Sequence, residues 1–293
     1  MPGKQVTELD ALPSFTDTSL LPVHNGAGLK KGRLSQLASY LGTKFSNPNL
    51  LINPDFKINQ RGATSYTTGY TVDRWRVTSA TLDAKTKVLS NSNSASGTFL
   101  QSLENKPTGT FTVTLNVASF TGTVKFSWKD GSTYKTGVAI SKGLNTYTFT
   151  ASSLTWVGID IASGASIQLD YMKLEKGTVA TSFIAPNMAE ELDKCLRYFQ
   201  TYENIAFIPE LLSVSDVSKS ATNYVPLYMI FAQQMRVKPT ATYKSIINRS
   251  GTVISGNHSI TVDNKGLTGL KLSSSSTYHT IYANKLTLDA EIY

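Results

Sequence analysis

Cysteine is almost missing from this chain. Cys195 stands alone, which excludes an intrachain disulfide and leaves no thiolate set for a structural zinc site. Charge is sparse as well. Only 16% of the 293 residues are Asp, Glu, Lys or Arg, against 40% hydrophobic, a balance that suits folded modules and argues against long disordered tails. No run of 18 or more apolar residues occurs, so no segment is expected to insert into a membrane as a helix. The N-terminus lacks a basic start followed by an apolar stretch, so no secretory signal is expected and the protein is expected to be made in a cytoplasm. The three histidines, His24, His258 and His279, lie far apart without HxxxH or HxH spacing, and no metal site is expected. Walker loops, GxGxxG and GxSxG are missing too, and no cofactor is expected.

The charge that is present is lopsided: 28 basic and 20 acidic residues give a formal net charge of +8. It is scattered. Lys30-Lys31 typifies the densest clusters, and no basic helix or stripe appears. No nucleic-acid partner is expected. Cys195 shares a helical pattern with Leu192, Leu196 and Phe199, which marks it as a packed core thiol.

Ser, Thr, Asn and Gly recur between short apolar runs, the texture of an all-β chain with many turns. Phe111, Val113, Leu115 and Val117 alternate with polar residues, the period of a half-buried strand. Val124, Phe126 and Trp128 repeat the pattern and lead into a Lys129-Asp130-Gly131-Ser132 turn. Tyr147 and Phe149, then Val157, Ile159 and Ile161, then Ile167, Leu169 and Tyr171 continue it. Such spacing predicts an antiparallel sandwich over residues 47–187. A helix is predicted from Met188 to about Tyr202. Beyond it, the apolar run Tyr224–Phe231 fits a strand covered on both faces. Further strands are expected at Thr240–Ile247, Ser259–Val262, Leu267–Leu272, His279–Ala283 and Lys285–Ile292, giving a second, smaller β domain over 188–293. Residues 1–46 differ from the rest. There Leu34, Leu37, Ala38 and Leu41 recur at i, i+3, i+4 and i+7, a short helix with one apolar stripe. A helix of about ten residues is marginal alone, so the stripe lies either on partner copies or on the sandwich.

Several stretches are similar to bacteriophage tail and fibre proteins. Asn49-Leu50-Leu51-Ile52-Asn53-Pro54-Asp55-Phe56, continued by Lys57-Ile58-Asn59-Gln60-Arg61-Gly62, resembles the NLLINGDFxINQRG opening of a jelly-roll domain in phage fibres. Asp73-Arg74-Trp75 matches the DRW that follows there. Lys173-Leu174-Glu175-Lys176-Gly177 with Ala180-Thr181-Ser182-Phe183 resembles the family's closing KLExGxxATxF. Glu190-Glu191-Leu192-Asp193-Lys194-Cys195-Leu196-Arg197-Tyr198-Phe199 is similar to its linker helix, and Met235-Arg236-Val237-Lys238-Pro239-Thr240 to the MRxxPT of the next module. The resemblance brackets roughly residues 47–293 and departs at Pro54, where the family carries Gly. Because proline fixes φ negative, a positive-φ turn is not expected at that residue. The physical reading of the motifs is structural. Leu50 and Ile52 alternate like a first strand, Trp75 belongs in a core, Asn59 to Gly62 can hydrogen-bond strand ends, and Arg74 is expected to pair with neighbouring Asp73.

The resemblance implies an all-β, jelly-roll virion appendage: a tail-fibre or spike subunit, attached through residues 1–46 to other virion proteins and associating as a homotrimer. Host cell-surface polysaccharide is the expected partner. Sugars bind exposed aromatics through their C–H faces, which nominates Tyr66, Tyr70, Tyr134 and Trp156. Those rings could equally cover the sandwich ends or line a subunit contact. Leu34, Leu37 and Leu41 are the candidate trimer contacts. No catalytic constellation is legible. Asp130, Asp160 and Asp170 are the carboxylates nearest to a glycosidase pair, and Asp160, opposite in phase to Ile159 and Ile161, is expected to face solvent. The alternatives are a purely structural head, neck or baseplate protein, and a polysaccharide-cleaving spike.

Overall fold

In a computed structural model the chain is all-β: a jelly-roll sandwich followed by a smaller β module, joined by a linker helix. The described residues are 20–24, 29–34, 36–37, 46–203, 205–207, 223–248, 250–256, 258–272 and 281–292. Leu20–His24 (β1) and Leu29–Arg33 (β2) pair antiparallel. Leu34 and Leu37 follow in helical conformation, and Leu37 is 41% exposed. Leu41 lies outside the described residues.

The sandwich is built from Ser65–Tyr66 (β3), Gly69–Tyr70 (β4), Arg76–Thr78 (β5), Thr81–Asp83 (β6), Val88–Ser90 (β7), Gly97–Ser102 (β8), Gly109–Thr121 (β9), Val124–Asp130 (β10), Thr133–Ala139 (β11), Gly143–Ala151 (β12), Leu154–Ile161 (β13) and Ser166–Lys176 (β14). One six-stranded sheet runs β11-β10-β13-β8-β5-β4 and the other β12-β9-β14-β7-β6-β3. The alternating apolar residues point between them: Phe111, Val113, Leu115 and Val117 from one side, Val124, Phe126, Val157, Ile159 and Ile161 from the other, all buried. Trp75 stacks on Phe99 at 4.9 Å, with the Phe56 ring edge-on to it, also at 4.9 Å. Each such fully buried side chain contributes about 1.5–3 kcal/mol.

The motif Asn49 to Phe56 forms no strand. Asn53 and Phe56 both take positive φ, 54° and 59°, which breaks the extended run that Leu50 and Ile52 suggested. The left-handed residues thus flank Pro54, and asparagine tolerates that region. Asn53 then acts as a hub. Its amide donates to the carbonyls of Ile58 and Asp73, its Oδ1 accepts from the Ile58 N–H, and its carbonyl accepts from the Trp75 indole at 2.8 Å.

The closing motif is a fastener. After β14 the chain doubles back, and Phe183 stacks on Tyr171 at 4.0 Å with rings 6° from parallel. Buried Lys173 donates to the Thr181 hydroxyl, the carbonyls of Thr181 and Ser182, and the Ser46 hydroxyl. Glu175 accepts from the Thr181 N–H and hydroxyl and pairs with Lys173 at 3.3 Å. Residues 181–183 therefore lie against the outer face of the β9–β14 sheet, and Thr112 and Thr114, polar in the strand pattern, are buried.

The linker helix α1, Met188–Leu196, starts at Asn187, whose side chain accepts from the N–H groups of Ala189 and Glu190. Glu190 and Glu191 in its first turn suit the helix dipole. It ends earlier than its pattern predicted. Phe199–Tyr202 (β15) leaves the helix to pair with Ile281–Asp289 (β21), where Phe199 meets Asp289. Sheet pairing outweighs local periodicity there. Ile205–Phe207 (β16) continues along the same edge of β21 and Thr240–Asn248 (β18) takes the other edge, while Asn223–Ile230 (β17), Ser259–Val262 (β19) and Gly266–Leu272 (β20) form a three-stranded sheet. The side chains of 223–228 lie outside the described residues, and with them most of the doubly covered run expected at Tyr224–Phe231. The two strands expected after residue 279 are one, β21. The break between them survives as a positive φ of 50° at Lys285. Leu267, Leu270, Leu286 and Leu288 centre the module's own core.

A buried polar seam joins sandwich and module. Arg74, 1% exposed and held at φ 71°, donates to the carboxylate of Glu291 and to the Ser102 carbonyl, and lies 3.6 Å from the Tyr198 ring centre. It does not pair with Asp73; the left-handed turn sends the two side chains to different partners. Asp73 faces Arg61 at 3.7 Å and accepts from the Gln60 N–H and amide. Arg61 reaches Glu291 at 3.4 Å and Asp289 at 3.8 Å over the Phe199 ring, and Gln60 also donates to the Phe199 carbonyl. The Asn53 N–H donates to Glu191 of α1 at 2.6 Å. Cys195 is buried beside this network, and burial pushes its thiol well above the usual range. Burial raises Asp73 to about 6.

Two outcomes follow from the seam. Arg74→Leu strips buried Glu291 of its main counter-ion, leaving only Arg61 at 3.4 Å, and should destabilise the protein by about 3 kcal/mol in urea melts. Arg74→Leu with Glu291→Leu should recover most of that. A single variant as stable as the parent would refute the assignment. Asp73 binds its proton more tightly folded than unfolded, so its contribution is complete below the ordinary carboxylate pKa and fades as pH rises through about 6. The parent should therefore gain about 1 kcal/mol over Asp73→Asn between pH 7 and pH 5. A gap that stays flat or shrinks on acidification would count against it.

Candidate functional site

The two outer faces of the sandwich differ. The β9–β14 face carries the fastened residues 181–183; the β11-β10-β13 face carries aromatic and charged side chains instead. Strand phase decides which ones. With Val124, Phe126 and Trp128 facing the core, Lys125, Ser127 and Lys129 of β10 face out. On β13, Trp156, Gly158 and Asp160 face out between Val157, Ile159 and Ile161.

Register then sets the rows. Lys129 is the partner of both Tyr134 and Trp156, Ser127 of Thr136 and Gly158, and Lys125 of Asp160. The hairpin joining β10 to β11 is locked by Asp130, whose Oδ1 accepts from the N–H groups of Ser152 and Ser153 and the Ser152 hydroxyl, while its Oδ2 meets Lys135 at 3.1 Å. Gly131 turns the chain at φ 59°. Across the platform the Tyr134 and Trp156 rings lie 5.5 Å apart at 56°, and Tyr134 is 48% exposed. The Tyr134 hydroxyl donates to Asp160 Oδ2. Burial and this carboxylate push the phenol up to about 12, while the nearby Ser127 hydroxyl pulls the other way. Asp160 is therefore held by a neighbour and does not simply face water.

Two polar atoms on this platform have no protein partner: Asp160 Oδ1 and the fully buried Ser127 hydroxyl. Ser127 influences the Tyr134 phenol, but the pair lacks the geometry of a hydrogen bond. Between them Gly158 keeps the floor low. A Cβ there would meet the Phe99 carbonyl oxygen at 2.2 Å, so no larger residue fits the pairing with β8. Aromatic rings beside orphaned polar atoms and a cation are what a sugar ring needs: a flat apolar face, and partners for hydroxyls.

The other predicted aromatics sit elsewhere. Tyr66 packs on the sandwich core, its hydroxyl donating to Asn59 at 2.5 Å. Tyr70 is 8% exposed, and its hydroxyl donates to the Ile292 carbonyl; it belongs to the seam and offers no open ring. Of the carboxylates, Asp130 holds the hairpin, Asp160 joins the platform, and Asp170 accepts from the Asn116 amide at 2.8 Å. The structure brings Tyr134, Trp156 and Asp160 together. Lys125, Ser127, Lys129 and Gly158 were not nominated by sequence, although the phase of β10 and β13 already placed them outward. A separate cleft of about 400 Å³ beside the seam is lined by Arg74, Gln101, Glu104, Lys176 and Tyr198, but Arg74 is already answered by Glu291.

No family model matches the chain, and no curated protein matches it. Among solved structures it is similar to TmCBM61 in complex with β-1,4-galactotriose, with 14% identity, 44% of this chain and 99% of that one covered, and a TM-score of 0.27. It is also similar to discoidin II of Dictyostelium discoideum, with 8% identity, 69% and 79% covered, and a TM-score of 0.21. Overlaps this loose leave function to the chain's own residues.

Proposed function

We propose that this protein is a glycan-binding appendage subunit of a bacteriophage particle, and that it is not an enzyme. The observation that carries the glycan reading is the ring pair of exposed Tyr134 and half-buried Trp156 on an outer sheet face, beside Asp160 and Ser127 atoms that lack protein partners. The phage reading is supported by the resemblance of residues 47–293 to tail-fibre modules. In this proposal residues 1–46 attach the subunit to other virion proteins and the mature location is the virion.

The trimer belongs to the same proposal. Leu20 and Leu37 stand 53% and 41% exposed in the single chain, and Leu34 shares the helical stripe with Leu37. Cyclic association of identical subunits covers such residues.

A glycan array of bacterial surface polysaccharides tests the binding. The parent should bind at least one, and Trp156→Ala should weaken that binding by at least about tenfold, near 1.4 kcal/mol. No bound glycan, or binding indifferent to both Trp156→Ala and Tyr134→Ala, would overturn it. Light scattering at micromolar concentration tests assembly. Three times 31.9 kDa is expected for the parent, with loss of mass for Leu37→Asp; a parent mass of one chain would refute the trimer.

A further inference from the structure

Charge on the platform narrows the ligand. Lys125 and Lys129 occupy the outer face of β10 two residues either side of Ser127, and Lys125 is exposed while Lys129 is half-buried. The ion pairs among the described residues engage other cations, Lys135 with Asp130 nearest by, and neither of these two lysines takes part in one. Lys129 lies in the same row as both rings. Half-burial reduces the hydration and screening of that ammonium, so an anion beside it is worth more than at an open surface. Asp160 supplies the opposite requirement. Its Oδ2 is engaged by Tyr134, and its orphaned Oδ1 needs a donor, which a sugar hydroxyl provides.

We infer that the Tyr134–Trp156 platform takes an acidic saccharide, its ring on Trp156, its carboxylate at Lys129 with Lys125 adding to the field, and a hydroxyl donating to Asp160. This rests on the glycan-binding reading and deepens it. A neutral sugar satisfies Asp160 and the rings but leaves a half-buried ammonium facing an uncharged ligand, so the site discriminates by charge. No bond is made or broken.

The test uses the full chain and a panel of uronate-containing polysaccharides, each beside its own carboxyl-reduced form, which keeps the sugar stereochemistry and removes the charge. The native form should bind about tenfold tighter than the reduced form at low ionic strength, and the ratio should fall as salt is raised. In Lys125→Gln/Lys129→Gln, both lysines being outside the core, the ratio should collapse towards one while any binding of the reduced form persists. Trp156→Ala should weaken both forms together. Equal binding of native and reduced forms, or a preference that survives in the double lysine variant, overturns the acidic ligand and leaves the glycan reading standing. Binding of neutral glycans alone does the same. Failure of every saccharide, acidic and neutral, on the panel and on the array overturns both.

Discussion

The structure depends on charge that has been taken out of water. Arg74 and Glu291 are 217 residues apart in sequence and almost fully buried. An ion in that position is tolerable only when its counter-ion and hydrogen bonds are in place. Arg74 therefore cannot settle in the sandwich unless the last strand of the second module has delivered Glu291, and Glu291 cannot settle without Arg74. The surrounding contacts repeat this logic: Arg61 over Phe199 towards Asp289, Asn53 to Glu191, Tyr70 to Ile292. The two modules have separate hydrophobic cores, yet the seam couples their stabilities. Three carboxylates, Asp73, Asp289 and Glu291, face Arg61 and Arg74, while Glu191 is met by Lys194. Burial above all keeps the proton on Asp73 longer, against the pull of Gln60 and Arg61.

Asp-Arg-Trp, Asn-Gln-Arg-Gly and Glu-Glu-Leu lie in three places in sequence and meet in one seam. Arg74 adopts a left-handed backbone that non-glycine residues avoid, and local strain of that kind persists only where the surroundings over-determine it. Fixing that seam, together with the Lys173–Glu175–Thr181 fastener, occupies one end and one outer face of the sandwich. What remains uncovered is the β11-β10-β13 face, and the candidate binding residues are there.

Much of this was legible in the residues. The alternation of Phe111 to Val117 and of Val157 to Ile161 specified strands, because one side chain in two must find the core. The burial of Cys195 followed from its helical pattern with Leu192, Leu196 and Phe199, and that of Trp75 from the size and apolarity of its ring. The failures also have physical origins. Leu50 and Ile52 alternate as a strand does, but Asn53 side-chain hydrogen bonds stabilise a turn instead. Tyr198 and Phe199 continue a helical stripe, but pairing with β21 wins. Asp73 and Arg74 are neighbours in sequence, but a positive φ parts them. In the last two cases a long-range partner, β21 or Glu291, prevails over the local preference. The platform was half legible for the same reason. Strand phase places Lys129 and Trp156 outward, but only the sheet order, with β10 between β11 and β13, puts Tyr134, Lys129 and Trp156 in one row.

A sheet face is a shallow place to bind. It surrounds a sugar on one side only, so most of the ligand stays hydrated and a single site gains little over the entropy of association. Two properties of the proposed assembly bear on this. Electrostatic attraction to an acidic polymer raises the encounter rate even where each contact is weak. Copies held on one symmetric subunit array turn later encounters with the same polymer into intramolecular events, multiplying weak contacts without deepening any of them. A rigid seam matters more under that arrangement than it would for a solitary domain. Avidity is lost when the geometry between sites wanders, and a sandwich bolted to its neighbouring module by buried charge keeps its open face in a fixed direction.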